Sequence, residues 1–135
     1  MNGLANGMYG GDLVNSTNAW IDFSEQSTIV GWSSFTTKQI RYKVVGNIVY
    51  VYFSINGTSN STSTSFTLPI QTKFFGVQYC YGVDNTSTPQ VSIVSQPSTP
   101  GIIFAIYRFT ASNNLSLTWT ASGTKTVTGS FFYEI

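Results

Sequence analysis

The sequence predicts an all-β protein: an antiparallel β-sandwich of jelly-roll type, preceded by an extended N-terminal arm. Three observations lead there. Val, Ile and Thr fill 40 of the 135 positions and aromatics reach 16%, the residue types that suit a pleated, half-buried surface. Apolar residues recur at every second position over short runs, and no stretch keeps a helical spacing. The runs are separated by Gly, Asn, Asp, Ser and Pro, the residues of tight turns. Only 8% of residues are charged, yet the wealth of aromatic and β-branched residues argues against disorder. No apolar run approaches the ~18 residues of a membrane-spanning helix.

The chain is read as two parts, an arm over residues 1–27 and a sandwich over residues 28–135. The arm begins rich in Gly and Asn, and its apolar residues follow no period. They are too sparse to build a core and too numerous for a solubilising tail. Leu4, Met8, Tyr9, Leu13 and Trp20 are therefore candidate docking anchors. The arm is expected to be dispensable for folding and needed for attachment or subunit exchange.

Within the sandwich the clearest unit is residues 38–55. Two apolar-rich runs flank Gly46-Asn47, a dipeptide suited to a two-residue I′ or II′ hairpin turn. That turn sets Ile40 opposite Phe53, Tyr42 opposite Val51 and Val44 opposite Val49, an unmixed core face. The other face pairs Arg41 with Tyr52 and Lys43 with Tyr50, two cation–tyrosine contacts on an amphipathic surface. Arg41, Lys43, Tyr50 and Tyr52 are the candidate subunit interface, with Tyr107 and Tyr133 as weaker candidates. Short strands follow over 65–68, 75–83, 90–95, 101–108, 115–120 and 127–135. The first ends at Pro69, which cannot donate to a ladder. Residues 59–65 form a polar loop of Ser, Thr and Asn.

Composition also narrows the chemistry. The chain has no histidine, so Ser-His-Asp and Cys-His catalysis and histidine metal sites are excluded. The five acids include Asp12, Asp22, Glu25, Asp84 and Glu134. A pair of facing catalytic carboxyls needs a rigid frame, and Asp22 and Glu25 precede the first clear strand, so all five read as solvated surface acids. Cys80 lies between Tyr79 and Tyr81, which supply no base, and reads as a small buried thiol. No cofactor is expected, and no catalytic residue. Six Lys and Arg against five acids leave too few cations for a nucleic-acid partner. Residues 1–11 lack the basic and apolar regions of a signal peptide.

The stretch from Gly46 through Ser59, followed by Phe66-Thr67-Leu68-Pro69, resembles a pattern of bacteriophage virion proteins. The pattern is a hairpin, an Asn-Gly-Thr turn and a strand closing in Leu-Pro. It is similar to the β-sandwich modules of tail-fibre tips and of small capsid-decorating proteins. The resemblance implies a non-enzymatic structural protein on the virion surface, made in the host cytoplasm. It would act as a homotrimer docked to other virion proteins such as the capsid or a fibre shaft. A receptor- or carbohydrate-binding module is the alternative. Trp20, Trp32 and Trp119 could stack on sugar rings, although Trp32 and Trp119 read as core or interface residues and Trp20 as a docking anchor rather than a sugar platform.

The hairpin register makes a direct prediction. Val51→Asp buries an unpaired carboxylate and abolishes the folded thermal transition. Lys43→Ala loses one cation–ring contact of about 0.5–1 kcal/mol and melts close to wild type. Equal melting temperatures for the two variants would show that the register is wrong.

Overall fold

Gly46 turns the chain with a φ of 61°, the left-handed value that a II′ turn asks of its first central residue. The strands on either side pair from Val45↔Ile48 through Ile40↔Phe53, the register expected from the sequence. The computed structural model describes residues 19–74, 76–95, 101–109, 115–116 and 119–135, those between 101 and 116 by their backbone alone. Ten strands appear among the described residues: β1 (Ile21–Asp22), β2 (Ile29–Val30), β3 (Trp32–Val45), β4 (Ile48–Ser59), β5 (Ser65–Thr67), β6 (Gly76–Asp84), β7 (Gln90–Ser95), β8 (Gly101–Phe109), β9 (Leu115–Ser116) and β10 (Gly123–Glu134).

All pairings are antiparallel, and they form a sandwich of two layers. The order of neighbours is β1-β3-β4-β10-β6-β7-β8-β5-β2, with β9 beside β8. β6 belongs to both layers: its residues 81–84 pair with β10, and residues 76–80 pair with β7. The opposite side closes where Gly31 (φ 102°) joins β2 to β3. A Cβ there would lie 2.2 Å from the Ser63 carbonyl oxygen, so this corner needs glycine on two counts. β5 lies beside β8 and the hairpins β6-β7-β8 complete a Greek key. A jelly roll takes two such keys. The described pairings supply one, and the fold stands as an antiparallel sandwich.

The core lies between the layers. Ile40, Val49, Val51, Phe53, Ile55, Val127 and Phe131 reach it from one side, and Phe66, Val91 and Ile93 from the other. The Phe53 and Phe66 rings meet across the middle at 5.5 Å. Trp32 and Trp119 close one end, edge to face at 5.7 Å. A buried indole N–H needs an acceptor, and the polar loop supplies both. Trp32 Nε1 donates to Thr64 Oγ1 at 2.6 Å, and Trp119 Nε1 to the Ser61 carbonyl at 3.1 Å. Trp119 was expected within a strand. It instead lies beyond β9, with its own amide donating to Thr62.

The expected arm meets the structure only in part. Leu4, Met8, Tyr9 and Leu13 lie outside the described residues. Residues 21–24 are bonded to the sandwich: β1 pairs with β3, and the Phe23 amide donates to Ile40 at 2.7 Å. Phe23 packs edge to face on Tyr42, and Ser24 is buried, its hydroxyl accepting from the Ile40 amide at 2.8 Å. Asp22 therefore sits on a strand rather than ahead of the ordered part of the chain. A chain lacking residues 2–24 should be less stable than one lacking residues 2–18 by about 2–4 kcal/mol. That is the scale of a half-buried aromatic plus its hydrogen bonds. Equal urea midpoints for the two deletions would detach residues 19–24 from the fold.

Candidate functional site

Alternation along β3 and β4 sends one set of side chains into the core and the other onto an outer face. Arg41 and Lys43 stand there opposite Tyr52 and Tyr50. The Arg41 guanidinium lies 4.7 Å from the Tyr52 ring centre, and the Lys43 ammonium 5.9 Å from that of Tyr50. The two expected cation–tyrosine contacts are both present. Trp20 adds a third ring that sequence reasoning had assigned to the arm. Its centre lies 5.4 Å from the Arg41 guanidinium and 5.1 Å from the Lys43 ammonium. β1 delivers it, since Asp22↔Arg41 pairing sets the chain direction just ahead of the strand.

Neither cation has a carboxylate partner among the described residues. Asp22 faces Arg41 in register, but its Oδ1 accepts from the Ser24 amide at 2.9 Å and the Ser24 hydroxyl at 2.6 Å. The Ser24 hydroxyl and amide hold this carboxyl below its ordinary pKa. Arg41 Nε is buried and has no hydrogen-bond partner.

β10 extends the face. Phe132 stands opposite Tyr50, their rings 6.1 Å apart, and is 56% exposed. The signal for Phe132 was present in the sequence, since Phe131 and Tyr133 point inward and the residue between them must point out. Gln78 seals the place where β6 leaves β10. Its side-chain amide donates to the Phe132 carbonyl at 2.8 Å, in place of a ladder bond. Trp20, Lys43, Val45, Tyr50, Gln78, Ser130 and Phe132 line an open groove of about 610 Å³. Further along the outside, Val77, Tyr79 and Tyr81 of β6 are exposed in a row.

Two expectations need correction. Tyr133 is buried, and its hydroxyl donates to the Ile70 carbonyl at 2.6 Å, so it is no surface contact; burial pushes its phenol pKa up. Asp84 is not a solvated acid. Its side chain is 1% exposed and lies 3.2 Å from Lys125 Nζ, itself 0% exposed. Lys125 also donates to Thr120 Oγ1 at 3.0 Å and to the Ser122 carbonyl at 2.7 Å. The Thr120 amide donates to Asp84 Oδ2 at 2.9 Å, and the Thr120 hydroxyl donates to Oδ1. The expectation for Tyr107 concerns a side chain outside those described. Cys80 conforms: half-buried, its thiol is pushed up to about 12 by burial and stays protonated at neutral pH. Trp32 and Trp119 are core residues, which leaves Trp20 as the exposed indole among the described residues.

No family model, curated protein or solved structure matches the chain.

The buried ion pair gives a prediction for stability. Burial pushes the Asp84 carboxyl up, but the Thr120 hydroxyl and amide and the Lys125 ammonium outweigh it and hold the pKa below the ordinary value. A carboxyl lowered by folding contributes stability that is complete above its unfolded value, about 3.9. That contribution is lost as pH falls through the lower native value. Lys125→Met, which removes the ammonium beside the buried carboxylate, should cost about 3–5 kcal/mol at pH 7. Adding Asp84→Asn, which removes the buried charge and keeps an acceptor for the Thr120 amide, should recover part of that loss. Urea titrations at pH 7 and pH 3 check both points, and the gap between wild type and Asp84→Asn should narrow at the lower pH.

Proposed function

We propose that this chain is a non-enzymatic component of a bacteriophage particle surface, a homotrimer that docks onto other virion proteins. The observation that carries the docking role is the outer face of β3, β4 and β10. Trp20, Tyr50 and Phe132 are exposed there, with Arg41 and Lys43 interleaved. Rigid aromatic rings beside a few cations are typical of binding patches. The virion assignment rests on the resemblance of residues 46–59 and 66–69 to phage surface modules. The lack of any histidine supports a structural role.

Charge argues for a second kind of molecule on this face. A contact that sets this face against its own copies, as at a threefold axis, would bring Arg41 and Lys43 together, and like charges face to face are destabilising. The same unpaired cations and open groove favour the alternative reading, a receptor- or carbohydrate-binding module.

Sedimentation equilibrium of the full chain should give the mass of three chains at micromolar concentration. Phe132→Asp should leave that mass unchanged and abolish association with the particle. A single-chain mass would overturn the homotrimer. Absence of the protein from purified particles would overturn the virion assignment.

A further inference from the structure

The groove beside Trp20 combines two features that point to one ligand class. Its walls include the exposed side chains of Tyr50 and Phe132, with Ser130 two residues before Phe132 on β10. Its rim carries Lys43, with Arg41 next along the strand face, held only by rings. We propose that this groove binds a saccharide bearing one or two carboxylates, an inference that rests on the receptor- or carbohydrate-binding reading. The apolar C–H face of a pyranose suits a flat aromatic wall, and a few polar groups suffice to fix its orientation. A volume of about 610 Å³ falls in the range of ~300–1,000 Å³ usual for small-ligand sites.

The cations select the carboxylate. The Lys43 ammonium on the rim, with the terminal N–H groups of Arg41 beside it, offers charge-assisted donors to an incoming carboxylate. Asp22, the acid in register with Arg41, is turned to Ser24, so it does not compete. The small number of cations sets the ligand's size. A polyanionic nucleic acid or an anionic lipid surface is gripped by many cations at once, whereas this face has two. An acidic peptide would add along a sheet edge through its main chain. The groove instead opens on the face of the sheet, and the nearby edge strand β1 is two residues long.

The test is calorimetric titration of the full chain with digalacturonic acid and with its carboxyl-reduced, neutral counterpart. The acid should bind at least about tenfold tighter, as expected for charge-assisted bonds to two cations. Raising the salt to about 0.5 M should erase most of that margin. Lys43→Gln should bring the acid down to the affinity of the neutral sugar while leaving the melting temperature unchanged, and Arg41→Gln should do the same where it folds. Binding should also quench Trp20 fluorescence, readable in a variant with Trp32→Phe and Trp119→Phe if that variant folds, and otherwise as the quench lost in Trp20→Phe. Equal affinity for the two sugars would overturn the proposal and leave the carbohydrate reading standing. No binding of either would overturn both. Tetraglutamate binding as tightly as the acid sugar would overturn the saccharide in favour of an acidic peptide.

Discussion

The II′ turn at Gly46 is the constraint on which the rest of the molecule depends. A two-residue turn leaves no freedom in register, and a slip of one residue would exchange every inward side chain for an outward one. Ile40, Val51 and Phe53 would then face water, and Arg41, Lys43, Tyr50 and Tyr52 would face Phe66 and Val91. Instead β4 presents its apolar residues to the second layer and its aromatic hydroxyls to the outside. β10 inherits the same division because it pairs with β4 along its whole length. The core and the binding face are thus two sides of a single pairing decision.

The end of the sandwich away from that turn is governed by polar satisfaction. Asp84 and Lys125 come from β6 and β10, and Thr120 and Ser122 from the segment that leads into β10. Burying a charge pair is worthwhile only when the remaining donors and acceptors are met. Here the lysine has three acceptors, plus the Trp119 ring at 5.5 Å. The Ser/Thr-rich loop after β4 does the same for the two indoles. In a chain so poor in charge, hydroxyls and carbonyls carry out the interior work that salt bridges do on other surfaces.

Legibility in the sequence followed the range of each signal. The hairpin could be read in full because its turn and its alternation are local. Strands β5 to β8 could be placed because Pro69 and the Ser-, Thr- and Pro-rich connectors at 85–89 and 96–100 punctuate them. The role of residues 19–27 could not, because β1 spans two residues and two residues show no period. Trp20 was therefore recognised as an anchor but not as the third ring over Arg41 and Lys43. Asp84 resembled any turn acid, since its partner lies on a distant strand and nothing local marks a carboxylate for burial. Phe132 was within reach of the alternation argument, one step from inward-facing Phe131.

The two sides of β3 and β4 differ in how strictly they obey the rules of folding, and that contrast bears on function. Inside, a buried lysine has every donor met. Outside, two cations rest against rings, an arginine Nε and the Asn56 Oδ1 are buried without partners, and three large aromatics stand in water. Stability alone would favour small polar residues in their place, since an unpartnered buried polar atom costs about 1–3 kcal/mol. Contact with the rings nevertheless restrains Arg41 and Lys43, so part of their side-chain entropy is already lost before anything binds. A face that is unfavourable for the free molecule and already organised for contact is explained by what it meets. The unpaired positive charge states which partners it will refuse.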